Sequence, residues 1–352
     1  MTNASPTPTR RTPIDYDAWK RTALTLVAAC VGAGIMWAIG APMPFLIGAV
    51  VGAAVGGFAF AADINSTGRS IGLTFLGLQI GAGFTPEAVD RLTHAPVAAA
   101  GLVVSTLGAF IGAYAVYRIV AKWNRETALL GAMPGALATV LALLADPRAD
   151  ASRVAIAQSI RLSVLIVLFP LFIPPTDTAP AAEIWSWTAT LPVLALASSA
   201  GWTLERLRIP AGALLGPITV SIIATLGGWV EGVPPPLLFL TGSVIIGAST
   251  GARLSRGSAA SWRASAPASL LALAAAMVFA FGSAWAISPF SSLSLPTLLL
   301  AFAPGGIEAM VLLAAGLGLD PAFVAACHIT RVIGLTLALP LFYRRFTVYR
   351  PN

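Results

Sequence analysis

Two arginines in the middle of apolar runs are the strongest candidates for chemistry in this chain. Arg161 lies within "ASRVAIAQSIRLSVLIVLFPLF" and Arg331 lies within "PAFVAACHITRVIGLTLALPLF". A guanidinium group stays protonated, so each arginine needs an anion, carbonyl oxygens or water as a partner. The functional interpretation is capture of a carboxylate, which a guanidinium binds through two parallel hydrogen bonds. The structural alternative is a salt bridge or a carbonyl clamp that holds a hairpin in place.

Polar side chains one helical turn before each arginine extend the candidate substrate-binding site. Gln158 precedes Arg161 by three residues and His328 precedes Arg331 by three, so each pair shares a helix face. A neutral His328 beside an arginine could relay protons, whereas the structural alternative is a core histidine with satisfied hydrogen bonds.

Glu308 is the one acid within its apolar segment, in "PGGIEAMV". It is the candidate counter-ion of Arg331, in a pair that is either structural or coupled to protons. The corresponding position in the first half of the chain is Ala138, so Arg161 lacks an acid there. We therefore predict that Arg161 is the better ligand for a substrate.

Proline-glycine pairs precede both arginines. Proline removes a backbone donor and glycine widens the accessible dihedral angles, so we expect helices to break at these pairs. The exposed amides of half helices would favour an anion, and the structural alternative is a kink relieved by neighbouring helices. The candidate substrate-binding residues at the breaks are Pro134, Gly135, Pro304, Gly305 and Gly306.

The composition of the 352 residues predicts an all-α polytopic membrane protein. Hydrophobic residues make up 57% and charged residues 10%, whereas soluble domains carry about 25% charged residues. Runs of roughly 20 apolar residues are long enough to span a bilayer core of about 30 Å. Twelve apolar segments are predicted, at about 22–40, 43–62, 68–88, 95–120, 127–145, 152–174, 184–204, 210–229, 236–254, 265–288, 296–318 and 322–343.

The most polar connection, "PPTDTAPAAE", lies near the midpoint and divides the chain into two halves. A constant offset of 170 residues aligns 133–172 with 303–342 without gaps, and it pairs Asp150 with Asp320 and Arg161 with Arg331. This register indicates an internal duplication. The predicted organisation is a disordered cytoplasmic tail (1–21), membrane repeats (22–174 and 184–345), a linker (175–183) and a C-terminal tail (346–352).

Two arrangements of the duplicated halves are open. If all twelve segments cross the membrane, Arg253, Arg256 and Arg263 lie outside, against the tendency of basic loops to be cytoplasmic. If segments 5 and 11 enter and return on one side, every strongly charged loop follows that tendency and both termini are cytoplasmic. Each half then has about five transmembrane helices and one re-entrant hairpin, and the repeats are inverted, as in secondary transporters. The alternative is two parallel halves with twelve full crossings.

Several motifs resemble those of the AbrB-type integral membrane proteins. They are "PMPFLIGAVVGA", "LQIGAGFTPEAV", "MPGALATV", "PAGALLGP", "VIIGASTGARLS" and the block from "APGGIEAMV" to "HITRVI". The resemblance covers about residues 25–345 and implies a duplicated membrane domain. Members are often labelled ammonia monooxygenases or regulators of gene expression.

These observations favour a secondary transporter or exporter of a small organic anion, most simply a carboxylate. Its site would lie near the bilayer midplane between two re-entrant hairpins, and an ion gradient would drive it because no nucleotide-binding loop is visible. The alternative is a membrane-embedded sensor or regulator that influences gene expression indirectly. The expected location is the bacterial cytoplasmic (inner) membrane, where the partners are the lipid bilayer and the solute, and a homo-oligomer is an open alternative.

Enzyme activity and nucleic-acid binding are not expected. A copper or iron site needs several histidines, or histidines with carboxylates, and the chain has only His94 and His328, in different halves. We therefore expect no cofactor and no metal, and monooxygenase activity is disfavoured. The net charge of +7 belongs to loop arginines and lysines, and no basic helix suited to nucleic acid is present.

Overall fold

A computed structural model describes residues 16–86, 96–133, 148–174, 183–207, 209 and 211–346, with side chains described as far as residue 335. Helices make up its regular structure, and one isolated bridge joins Ile184 to Val233. The predicted tail residues 1–15, the linker residues 175–182 and the terminal residues 347–352 lie outside the described residues.

The described helices are numbered α1 to α13 in chain order. The first half contains α1 (Tyr16–Ala38), α2 (Pro44–Gly56), α3 (Ser66–Ala82), α4 (Pro96–Ala115, continued by a π-helical turn over Val116–Val120), α5 (Arg125–Ala132) and α6 (Ala151–Phe172). The second half contains α7 (Trp187–Arg206), α8 (Gly212–Leu226), α9 (Pro236–Leu254), α10 (Ala259–Ile287, continued by a 3-10 turn over Ser288–Phe290), α11 (Leu295–Phe302), α12 (Ile307–Gly316) and α13 (Pro321–Phe346).

Five helical stretches in the described residues are long and apolar enough to cross a membrane. The prediction of an all-helical protein with membrane-spanning helices is confirmed in this coarse form. The five stretches are Tyr16–Ala38, Pro96–Val120, Ala151–Phe172, Pro236–Leu254 and Ala259–Phe290.

Two boundaries differ from the sequence-based expectation. Helix α1 begins at Tyr16, inside the range 1–21 that was assigned to a disordered tail, because "YDAWKR" contains good helix formers and places Asp17 in the first turn. The predicted segment 296–318 is two short helices, α11 and α12, separated by four residues that include Pro304, Gly305 and Gly306.

Small residues bring consecutive helices into backbone contact at matching places in both halves. A Cβ atom added to Gly48 of α2 would lie 2.5 Å from the carbonyl oxygen of Gly32 in α1. One added to Gly216 of α8 would lie 2.5 Å from the amide nitrogen of Gly201 in α7. Such close approach is how membrane helices gain van der Waals contact without a hydrophobic driving force.

The helix contacts between the halves occur in matching pairs. Helix α2 packs against α9 while α8 packs against α3, and α3 also contacts α9. Helix α4 packs along α10 in the same way. Exchanging each first-half helix for its second-half counterpart therefore leaves this set of contacts unchanged.

The core of the molecule surrounds the broken segment of the second half. Leu298, Leu300 and Phe302 of α11 and Met310 and Leu313 of α12 are at most 1% exposed. Irregular backbone survives at membrane depth only where protein or a water-filled cavity satisfies it. The break between α11 and α12 meets that condition because it lies inside the helix bundle.

Candidate functional site

The backbone leaves helical geometry between α11 and α12. Ala303 has φ −55° and ψ 143°, and Gly306 has φ −83° and ψ 144°. Helix α5 ends in the same way, with Met133 at φ −60° and ψ 119°. The expected helix break is thus observed at Pro304, Gly305 and Gly306, whereas Pro134 and Gly135 lie outside the described residues.

Arg331 is buried and binds the carbonyl end of α11. Its Nη1 donates to the carbonyl oxygen of Ala303 at 2.5 Å, and its Nη2 donates to that of Ala301 at 2.9 Å. Its Nε donates to the Thr106 hydroxyl of α4 at 3.2 Å. The last carbonyls of a helix lack intrahelical partners and carry partial negative charge, so a cation is favourable there. Arg331 therefore acts as a carbonyl clamp in this structure.

Two further side chains contact carbonyl oxygens at the end of α11. His328 Nε2 lies 3.1 Å from the carbonyl oxygen of Leu300, and the Ser105 hydroxyl of α4 donates to that of Phe302 at 3.0 Å. Together with Arg331, these groups give every carbonyl from 300 to 303 a partner. His328 is 2% exposed, which matches the structural alternative of a satisfied core histidine.

Arg161 holds the end of α5 in the equivalent register. Its Nη2 donates to the carbonyl oxygen of Met133 at 3.1 Å and to Gln158 Oε1. Gln158 Nε2 donates in turn to the carbonyl oxygens of Leu130 and Met133, each at 3.2 Å. In both halves the clamping residue follows its carbonyl partner by 28 residues.

The predicted pairing of Glu308 with Arg331 is wrong. Glu308 Oε1 instead lies 2.5 Å from Nη2 of Arg69, in the first turn of α3. The reason is geometric: the first turn of α12 carries Glu308 toward α3, while Arg331 is committed to the carbonyls of α11. Sequence reasoning missed Arg69, and its one signal was an arginine at the very start of an apolar segment.

The start of α5 lies beside the start of α6. The Asp150 amide donates to the Thr127 hydroxyl at 2.9 Å, and Asn124 Nδ2 donates to the Arg148 carbonyl oxygen at 2.5 Å. Arg148 also pairs with Glu126 at 3.6 Å. The chain therefore returns, at residues 148–150, to the place where α5 begins.

Aspartates start the two helices that carry the clamps. Asp150 Oδ1 accepts a hydrogen bond from the Arg153 amide at 3.1 Å, and Asp320 Oδ1 accepts one from the Phe323 amide at 2.9 Å. Each aspartate lies directly before an apolar run, which is the usual place of an N-cap, and each accepts a hydrogen bond from a first-turn amide of its helix.

A small cavity separates Arg161 from the other half. Its volume is about 10 Å³, and Tyr117, Ser269 and Pro304 contribute to its wall. This is room for about one water molecule. The Nε of Arg161 is buried and has no hydrogen-bond partner among the described residues, in contrast to the Nε of Arg331. The cavity thus lies between Arg161 of the first half and the helix break at Pro304 of the second half.

Two buried arginines lie beside this cavity. Arg161 contributes to its wall, and Arg331 binds the carbonyl oxygen of Ala303, next to Pro304 in the wall. The two arginines are 7% and 4% exposed. Neither forms an ion pair with an acid in the described ranges. The part of the chain that the structure describes also holds no group of three or more His, Cys, Asp or Glu residues suited to a metal ion. The centre is thus suited to a small anion.

Comparison with known proteins agrees with the motif resemblance. The chain is 27% identical over 304 residues to "Uncharacterized protein YhjN" of Bacillus subtilis (strain 168), covering 80% of this chain and 79% of that protein. It is 26% identical over 290 residues to "Putative regulator AbrB" of Escherichia coli (strain K12), covering 79% and 82%. No solved structure matches the chain. A family model described as "Transition state regulatory protein AbrB" matches residues 45–347, and the chain belongs to this AbrB family.

Proposed function

We propose that this protein is a secondary transporter or exporter of a small organic anion, most simply a carboxylate. The observation that carries the proposal is the buried cavity lined by the end of α5, by Pro304 and by Arg161, with Arg331 bound to the adjacent carbonyl oxygen of Ala303. A buried, unneutralised positive charge is costly in a membrane, and an anionic solute would offset that cost. Interrupted helices that meet near the midplane are typical of secondary transporters.

The proposed architecture is a pair of inverted repeats, each with a re-entrant hairpin. The matching helix contacts between the halves support the duplication. The contacts of 124–127 with 148–150 support a return to the same side in the first half. In the second half, α11 runs parallel to the start of α13, because the bonded pairs Leu300–His328 and Ala303–Arg331 advance together.

Arg161 is the proposed substrate ligand, with Gln158 beside it. Its buried Nε has no partner in the part of the chain that the structure describes, while Arg331 uses its donors on α4 and α11. A cavity of about 10 Å³ is too small for a carboxylate, so the described conformation is a closed one. Substrate would bind after the hairpins separate, as alternating access requires.

The proposed setting is the bacterial cytoplasmic (inner) membrane, with both termini in the cytoplasm. Basic residues of the loops around 118–125 and 253–263 would then face the cytoplasm. The proposed partners are the lipid bilayer and the anionic solute.

Transport by purified protein in liposomes tests the function directly. Vesicles loaded with an unlabelled carboxylate are mixed with a trace of the same labelled carboxylate, over a panel of small organic acids. We expect counterflow that saturates for at least one acid. Arg161→Lys keeps the charge but loses the second hydrogen-bonding arm, so it should raise KM about tenfold. Unchanged KM in that variant would remove Arg161 from the site.

The second candidate is a membrane-embedded regulator, favoured by the words "regulatory protein" in the description of the matching family and by "regulator" in the name of one relative. This function would act indirectly, through a partner or through the level of a transported solute. It predicts altered gene expression on deletion, which Arg161→Lys restores fully if no flux is involved. Failure of Arg161→Lys to restore expression, together with lost counterflow, would favour regulation through transport.

A further inference from the structure

An open groove runs between α2, α6 and α10 at the surface of the helix bundle. Its volume is about 510 Å³, within the range of about 300–1,000 Å³ that small-molecule sites occupy. Apolar side chains of these three helices form most of its wall, together with Leu254 at the end of α9. Val55, Phe58 and Leu168 of the wall are exposed, so the groove opens away from the bundle. In a protein with membrane-spanning helices, that side faces lipid.

Four helix ends lie at one level beside the groove. A Cβ atom added to Gly57, directly after α2, would lie 2.1 Å from the side chain of Ser255, directly after α9. One added to Gly257, just before α10, would lie 3.9 Å from Ile156 in the second turn of α6. The ends of α2 and α9 and the starts of α6 and α10 therefore meet at one end of the groove.

The groove is too narrow for a helix. Trp262 and Leu270 of α10 both line it, and the eight helical positions between them correspond to about 12 Å. A volume of about 510 Å³ over that length gives a channel about 7 Å across, whereas a helix with its side chains is about 10–12 Å across. Extended hydrocarbon chains fit this width, and a helix from a second copy of the protein does not.

The end of the groove at Trp262 is basic. Trp262 Nε1 donates to the carbonyl oxygen of Arg256 at 3.0 Å, so its ring packs on the groove with the polar edge toward the loop, as at a membrane interface. Arg256 forms an ion pair with Asp63. Arg263 is exposed and has no hydrogen-bond or ion-pair partner among the described residues. An apolar channel with a free cation at its end matches the polarity of an anionic lipid.

We propose that the groove between α2, α6 and α10 binds an anionic phospholipid, with acyl chain along the groove and phosphate beside Arg263. Basic pockets between membrane helices bind anionic head groups in this way. The proposal goes beyond the proposed function, because its ligand stays in the membrane and is not transported.

The groove and the candidate site lie on different faces of α6. Ile160 and Ser163 line the groove, whereas Arg161 lines the small cavity. A phospholipid in the groove therefore packs against the helix that carries Arg161 without contacting the cavity.

Native mass spectrometry of the purified full-length protein tests the proposal. The protein is stripped of lipid in detergent and titrated with phosphatidylglycerol or with phosphatidylcholine. The wild type should bind phosphatidylglycerol about fivefold more tightly, the range for one basic residue near a membrane surface. Arg263→Gln should weaken phosphatidylglycerol binding about fivefold and leave phosphatidylcholine binding unchanged. Ala266→Phe places a ring in the groove and should weaken binding of both lipids about tenfold.

Two matched variants outside the groove serve as controls. Ala274→Phe adds the same ring at an exposed position of the same helix. Arg206→Gln removes an exposed arginine that lies over the Trp202 ring at 4.2 Å. Both controls should bind the two lipids as the wild type does.

Equal affinity of the wild type for the two lipids overturns the proposal, as does unchanged binding in either Ala266→Phe or Arg263→Gln. A change from dimer to monomer in Ala266→Phe with lipid binding intact would assign the groove to a second copy instead. If Ala266→Phe does not fold, the loss of head-group preference in Arg263→Gln decides. The lipid measurement needs no transport, so its failure leaves the transporter function standing, and absent counterflow leaves the lipid site standing.

Discussion

The two clamps share a backbone register and differ in how completely they satisfy it. In the second half, His328, Arg331 and Ser105 of α4 supply partners for all carbonyls from 300 to 303. In the first half, Gln158 binds the carbonyls of Leu130 and Met133, Arg161 also binds Met133, and the Nε of Arg161 has no partner among the described residues. Within that part of the chain, Arg331 uses all three of its guanidinium nitrogens and Arg161 does not.

This difference favours an anchoring role for Arg331 and a binding role for Arg161. A helix end with every carbonyl satisfied is a rigid support, since any movement breaks several buried hydrogen bonds at once. The end of α5 is held through the carbonyls of Leu130 and Met133, so in the described residues it has fewer such hydrogen bonds to lose. We infer that the second hairpin is the fixed element and that Arg161 is the arginine available to a ligand.

The orientation of the halves gives the largest expected effect, because labelling is all-or-none. Single cysteines at Arg148 and Ser292, in a chain with Cys30 and Cys327 replaced, are labelled with a membrane-impermeant reagent. The inverted arrangement places 148 in the cytoplasm and 292 outside. Twelve full crossings would exchange those two results.

Removing the clamp arginine should lower the free energy of unfolding by a different amount in each half. We expect Arg331→Leu to lower the free energy of unfolding by about 3 kcal/mol, because it leaves the carbonyls of Ala301 and Ala303 unsatisfied. Arg161→Leu should cost about 1–2 kcal/mol, since Gln158 still donates to Met133. Denaturant titration of each variant in detergent measures both free energies of unfolding. An equal loss would contradict the contrast between anchor and ligand.

The close helix contacts should respond alike in both halves. Gly48→Ala and Gly216→Ala each place a methyl group against the backbone of the preceding helix, and we expect each to cost about 1–3 kcal/mol. Gly34 is the matched control, because a Cβ there meets nothing within 4 Å. Gly34→Ala should be neutral or slightly stabilising, as measured by thermal aggregation. A loss confined to Gly48→Ala would weaken the case for duplication.

The smallest expected effect comes from giving the second clamp the partner used in the first. His328→Gln retains a donor for the carbonyl oxygen of Leu300, so the free energy of unfolding should change by less than about 1 kcal/mol. Counterflow should survive as well. Loss of counterflow with stability intact would show instead that the histidine relays protons.

Local patterns in the sequence predicted much of this arrangement. The caps at Asp150 and Asp320 and the break at Pro304 follow from residue types and their spacing, as does the alignment of Arg161 with Arg331. The partner of Glu308 could not be found in this way. Arg69 lies 239 residues away, and no local periodicity relates two helices of different halves. The hydrogen-bond acceptors of the two arginines could not be predicted either, because they are backbone carbonyls. Every residue has a backbone carbonyl, so residue types do not distinguish the ones that accept.

Binding to backbone carbonyls affects which residues of the protein can be substituted. Because the clamps recognise main-chain oxygen atoms, they place few demands on the side chains of the segments they hold. Met133 and Ala303 differ in size, yet each accepts a hydrogen bond from its arginine. The residues at the ends of α5 and α11 are therefore open to substitution without loss of these hydrogen bonds. Exchanging the residues that follow these ends for those of other family members would leave the clamps in place and would test whether the proposed solute preference follows the exchanged residues.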